Sequence, residues 1–305
     1  MKSYAVMAGE TVTLTTAWSL PSLVARLAAI WQLSKPRVTL LVWLSALAAM
    51  WLPGKPVSLS LFLITAAGVW LVVASANGWN QVLEWRCDAR MRRTARRPIP
   101  SGRLSPLEAA VVSTIWGTAG VLLLWYGVNP LTSLLGTFAL LVYVLVYTPS
   151  KRHTAWCTVI GAVPGAIPPV MGWTAAGGQM NWQALLLFAV QFLWQFPHFW
   201  AIAWKYRQEY REAGFHLVPF GDEAGMRVGW AMLTASALLL AISIAPALVG
   251  WRSWWYATGA LSLGAWMLWS TVAFLRRRDN RSALKVMFTS LGYLPLWFML
   301  LLLTR

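Results

Sequence analysis

The sequence predicts an all-α, polytopic membrane protein of about nine transmembrane helices around a central cavity, and three observations carry that prediction. Of the 305 residues, 58% are apolar and only 11% are charged, a balance outside the range of water-soluble domains. Apolar stretches close to the roughly 20 residues that cross a bilayer recur along the whole chain. Basic residues crowd into every second connection between those stretches.

Taken in order, residues 1–33 carry Lys2, Glu10 and Arg26, lack an Arg-rich amphipathic pattern and show no cleavable signal. They read as a cytoplasmic tail with an interfacial helix over Leu20–Leu33, leaving 34–305 as the membrane domain. The spans then fall at 38–51, 59–83, 107–125, 131–147, 156–173, 184–204, 228–249, 254–275 and 286–303. Trp125, Trp173, Trp204, Trp251, Trp254 and Trp255 stand near span ends, where an indole is half in lipid and half in water.

The second, fourth, sixth and eighth connections hold 18 Lys and Arg, while the others hold two, Lys55 and Arg252. By the positive-inside rule this puts the N-terminus and the even connections in the cytoplasm and the C-terminus outside. The net charge of +16 therefore follows membrane topology, and no nucleic-acid partner is expected. Cys87 and Cys157 have no metal-site spacing and suggest neither zinc nor a disulfide.

Polar residues interrupt the pattern at two places. The second span runs on into Asn77, Asn80, Gln81, Glu84 and Asp88, whose spacing puts all five on one helix face. A carboxylate near hydrocarbon is costly unless it faces a cavity or a partner. Asn80, Glu84 and Asp88 offer hard oxygen donors one turn apart, a set suited to magnesium, which takes one or two carboxylates together with substrate phosphates. Directly after them come Arg90, Arg92, Arg93, Arg96 and Arg97, then Pro98, Pro100 and Gly102, which end the helix and turn the loop back. Guanidinium forks match phosphate oxygens, so the pairing reads as a metal-and-diphosphate site; the plainer alternative is that these arginines fix topology and bind anionic lipid.

The second stripe lies in the sixth span, where Gln191, Gln195 and His198 share a face that continues to Lys205 and Glu209. Its placement four spans after the first fits two helical halves facing each other across a cavity. Lys151 and Arg152, in the fourth connection, either add charge around a diphosphate or serve topology alone.

The run from Asn80 through Glu84 and Asp88 to Gly102 closely resembles the first motif of the UbiA-type prenyltransferases, and more narrowly that of their haem-farnesylating members. The likeness continues at Ser34–Thr39, Tyr147–Arg152, Thr158–Pro169 and Trp194–Phe199, so it covers most of the chain from about residue 30 onward. It implies a nine-helix fold in a bacterial inner membrane, dependence on Mg2+, farnesyl diphosphate as donor and haem b as acceptor, giving haem O and diphosphate. It further implies that Asn80, Glu84, Asp88 and Glu209 hold the metal and that Arg93, Arg96, Arg97, Lys151 and Arg152 bind the diphosphate. His198 is then either an axial ligand to haem iron or a hydrogen-bonding partner of a neighbouring helix. This chain departs from the common pattern in two places, with Glu at 84 and Glu at 209 where Asp is usual. A downstream haem enzyme or oxidase is a further partner the likeness allows. Two rival readings stay open: a UbiA-type enzyme acting on an aromatic or quinone precursor, and a membrane transporter.

Overall fold

The computed structural model describes residues 20–215, 217 and 222–304, and among them every regular element is helical. Residues 1–19, the greater part of the expected tail, lie outside the described residues. The elements are α1 (Leu20–Leu33), α2 (Pro36–Ala49), α3 (Leu59–Asp88), α4 (Pro106–Gly127), α5 (Pro130–Ser150), α6 (Cys157–Ala175), α7 (Trp182–Lys205), α8 (Arg207–Glu212), α9 (Met226–Leu248), α10 (Trp254–Arg277) and α11 (Asn280–Leu303).

Sequence signals set the starts of these helices. Ser58 Oγ accepts from the Leu61 amide at the head of α3. At α4, Ser105 and Glu108 form a reciprocal capping box ahead of Pro106, and Glu108 also pairs with Arg26 of α1. At α5, α7 and α11 the side chains of Asn129, Asn181 and Asp279 each accept one first-turn amide.

Among the described residues, seven helices, α3, α4, α5, α7, α9, α10 and α11, are long and apolar enough to cross a membrane, and the protein is a multi-pass membrane protein. The two other expected spans, α2 and α6, also run from one end of the bundle to the other, and physical features keep them out of the seven. Helix α2 has 14 residues and a length of about 21 Å, short of a hydrocarbon layer of about 30 Å. Helix α6 contains Pro164, Pro168 and Pro169, which dilute its hydropathy and remove amide donors, and it is buried almost throughout. It packs against α2, α3, α5 and α7 and so joins the two sides of the bundle. A Cβ on Gly172 would collide with the Ala46 carbonyl of α2, so glycine is what lets these backbones meet.

The connections sort to two ends. At one end Lys55 donates to the Gly177 carbonyl at 2.7 Å, Asn129 to the Thr174 carbonyl at 3.0 Å, and Trp251 meets Trp173 and Trp182 edge-on. These residues come from the first, third, fifth and seventh connections. At the other end the even connections meet: Arg152 donates to the Leu83 carbonyl, Arg93 to the Tyr210 hydroxyl and Arg207 to Asn280. The strict alternation expected from the basic residues is thus present in the packing.

Candidate active site

The polar end is organised by α3, whose 30 residues span about 45 Å and carry the Asn80, Glu84 and Asp88 face beyond its apolar part. These three side chains are only 1%, 4% and 1% exposed. Buried polar groups must be paired, and each here has a partner from a different segment.

Asn80 Oδ1 accepts from Lys35 Nζ at 2.6 Å, and its Nδ2 donates to Thr148 Oγ1 at 3.2 Å. Lys35 precedes Pro36 and holds φ 49°, a left-handed conformation sparsely populated outside glycine and asparagine. Its backbone is kept there by bonds from α3: Gln81 donates to the Leu33 carbonyl at 2.7 Å and Asn77 to Thr39 Oγ1 at 3.0 Å. Burial, followed by the nearby Arg97 and Lys151 charges, holds the Lys35 ammonium well below the usual lysine range.

Glu84 meets Lys151, whose Nζ lies 2.9 Å from Oε1 and donates to Oε2 at 3.1 Å. Burial pulls the Lys151 ammonium down, but the Glu84 carboxylate outweighs it and the net shift is upward. The same ammonium stands 4.5 Å from the Tyr147 ring centroid. Just ahead of Thr148 and Lys151, α5 widens into a π-turn over Val142–Tyr147, a geometry that shifts the face on which the following residues emerge.

Asp88 Oδ2 accepts from Arg97 at 2.7 Å, and its backbone carbonyl accepts from Thr94 at 2.8 Å, folding the arginine loop back over the helix end. Arg93 reaches the other side of the molecule, donating to Tyr210 at 2.8 Å with its guanidinium 5.0 Å from the Tyr206 ring centroid. Burial raises the Tyr210 hydroxyl above its ordinary value. Next to Tyr210 on α8, Glu209 has one carboxylate oxygen, Oε2, buried without a hydrogen-bond partner. Arg152 and Arg96 are exposed; the former lines a groove with Leu83, Glu84, Thr148, Pro149 and His153.

His198 lies deeper, about 10 Å along α7 from Lys205. Its Nδ1 is 2.8 Å from Ser290 Oγ of α11, and its ring stacks on Trp194 at 5.0 Å and 16°. One turn away, Gln195 donates to the Ala162 carbonyl at 2.9 Å, a contact that only a glycine at 165 leaves room for.

The structure therefore gathers Asn80, Glu84, Asp88, Arg97 and Lys151 into one cluster, with Arg93 linking it to the helix that bears Glu209. Sequence reasoning included Lys35, Thr148 and Tyr147 in the family-like stretches but gave them no role in the site. The available signal for Lys35 was a lysine placed between Ser34 and Pro36, just ahead of the first span on the basic side. Among the described residues no group of three His, Cys, Asp or Glu could hold a metal unaided. An amide and two carboxylates on one face, with a partnerless carboxylate oxygen at Glu209, fit magnesium delivered with phosphate oxygens rather than a closed protein cage.

Residues 41–292 match the UbiA prenyltransferase family, and the chain belongs to that family. Within it, the chain is 40% identical over 284 residues to the protoheme IX farnesyltransferase of Solibacter usitatus, covering 90% of this chain and 97% of the relative. Among solved structures, a digeranylgeranylglyceryl phosphate synthase matches with a TM-score of 0.76 at 15% identity, covering 92% of this chain and 98% of that one. A UbiA homologue from Archaeoglobus fulgidus bound to GPP and Mg2+ matches with a TM-score of 0.65 at 13% identity, over 90% and 99% of the two chains. At these identities the solved structures speak for the fold.

Proposed function

We propose that the protein transfers the farnesyl group of farnesyl diphosphate to a vinyl group of haem b, giving haem O and diphosphate. The observation that carries this reading is the near full-length likeness to a protoheme IX farnesyltransferase, in a chain whose buried carboxylates stand among phosphate-competent cations. Asn80, Glu84, Asp88 and Glu209 hold Mg2+, which when bound supplies charge neutralisation on the leaving diphosphate. Arg93, Arg96, Arg97, Lys151 and Arg152 take the phosphate oxygens.

As the C1–O bond of the donor breaks, its electron pair leaves with diphosphate, and fixed cations at the cytoplasmic end favour that charge. The vinyl π pair of haem b then bonds to C1. The cation left on the porphyrin substituent takes water and releases a proton, giving the hydroxyethylfarnesyl group. Apolar packing beneath the cluster keeps water from intercepting the allylic cation first.

Iron ligation by His198 is part of the same proposal. Ser290 occupies Nδ1, which leaves Nε2 as the ligating nitrogen. The same reading puts the protein in a bacterial inner membrane with the N-terminus cytoplasmic, the C-terminus outside and 34–305 as the catalytic domain.

The deciding experiment gives purified protein haem b, farnesyl diphosphate and Mg2+ and identifies the porphyrin products by mass spectrometry. Haem O is expected; prenylation of an added phenol with haem untouched would sink the acceptor assignment. His198→Ala should change the absorption spectrum of bound haem and weaken haem binding while diphosphate binding holds. An unchanged spectrum would remove the ligand role.

A further inference from the structure

On the α3 face, Asn80, Glu84 and Asp88 each carry a cation that comes from a separate part of the chain. Lys35, ahead of α2, sits 2.6 Å from Asn80 Oδ1; Arg97, in the loop after α3, sits 2.7 Å from Asp88 Oδ2; Lys151, after α5, sits 2.9 Å from Glu84 Oε1. Sequence neighbours on one helix do not explain this, because two of the three partners are 45 and 67 residues away. An ammonium on a ligand oxygen competes with a metal ion for the lone pairs of that oxygen and repels the metal charge.

We propose that these cations are resident substitutes for the metal, and that Lys35 is a further diphosphate-binding residue that leaves Asn80 for the phosphate oxygens when metal and diphosphate arrive. The proposal rests on the metal-and-diphosphate reading of this site. Arg97 and Lys151 balance the two carboxylates, and Lys35 in its protonated form adds an excess positive charge, which opposes a bare divalent cation and attracts a polyanion. Lysine suits the exchange better than arginine, having a flexible four-carbon stem and a compact charge that re-aims without moving the backbone. The backbone at Lys35 is pinned by the Gln81–Leu33 and Asn77–Thr39 bonds, so the exchange is a side-chain movement alone. The metal ligands are thereby held in place while no metal is bound, and metal enters together with the substrate that releases them.

Opposite effects on two separate binding equilibria test this. Purified full-length protein in detergent is titrated with Mn2+ alone, followed by electron paramagnetic resonance, and separately with inorganic diphosphate alone, followed by calorimetry. Lys35→Ala and Lys35→Gln should each tighten Mn2+ binding and weaken diphosphate binding, both by about tenfold, since one unit charge a few ångströms away is worth at least that even when well screened. Arg86→Ala removes the same charge from a residue stacked on Trp85, off the ligand face, and should move neither affinity by more than a small factor. Unchanged Mn2+ affinity in both Lys35 variants, or weakening of both ligands together, would overturn the proposal. Glu84→Gln and Asp88→Asn separate the two levels of failure. If they weaken Mn2+ binding while the Lys35 variants do not move it, the substitution idea alone fails; if they leave it untouched, the site itself is misplaced and the proposal falls with it.

Discussion

Glu84 and Asp88 carry charge that serves folding and, in the proposed reaction, chemistry, and isosteric substitution separates the two. From sequence alone, removing a negative charge near hydrocarbon should barely affect folding unless an ion pair is lost; the structure puts each carboxylate in a buried pair, with Lys151 and Arg97. Breaking one side of such a pair typically costs about 3–5 kcal/mol, with less expected at Arg97, which is partly exposed. Glu84→Gln should therefore nearly abolish turnover and also lower Tm by several degrees, and adding Lys151→Met should restore much of the Tm and none of the turnover. Near-wild-type turnover of Glu84→Gln at limiting Mg2+ would remove Glu84 from the metal site. The Asn80, Glu84 and Asp88 face was legible because four-residue spacing alone places side chains on one stripe. Lys35 was not, since its partner is 45 residues distant and its left-handed backbone has no local signature in a lysine.

At the scale of elements, the π-turn in α5 is the feature that sequence could not reveal. Val142–Tyr147 is an unbroken apolar run, so its hydropathy is the same whether it winds as α or π. A π-turn admits an extra residue, and each residue in an α-helix accounts for a rotation of about 100°. Deleting Leu145 should restore α winding and swing Thr148 and Lys151 away from Asn80 and Glu84. The expected outcome is a membrane-inserted protein with far weaker diphosphate binding and little turnover; full activity in the deletion would show that the widened turn has no part in aiming Lys151. The long apolar helices were readable from their length and their capping residues. The short α2 and the proline-bearing α6 were readable as apolar segments, but the near-complete burial of α6 was not, because burial by neighbours leaves no mark on composition.

For the whole molecule, the alternation of loop ends predicts opposite locations for reporters fused after Gly102 and after Gly177. Both reporters on one side would mean that a helix has been wrongly counted as crossing. Eighteen basic residues gathered at one end have an effect that no single contact conveys. Both proposed substrates are anionic amphiphiles that dissolve in a leaflet with their charged ends at its surface. A protein presenting concentrated positive potential at that surface searches in two dimensions and captures ligands already oriented head-first toward its arginine loop. Salt shortens the reach of that field to about 8 Å at physiological ionic strength and to about 3 Å at 1 M. Rising salt should therefore depress kcat/KM for membrane-borne substrate several-fold and leave kcat nearly constant, whereas an equal loss in both would mean that capture is governed by the pocket and not by the charged face of the bilayer.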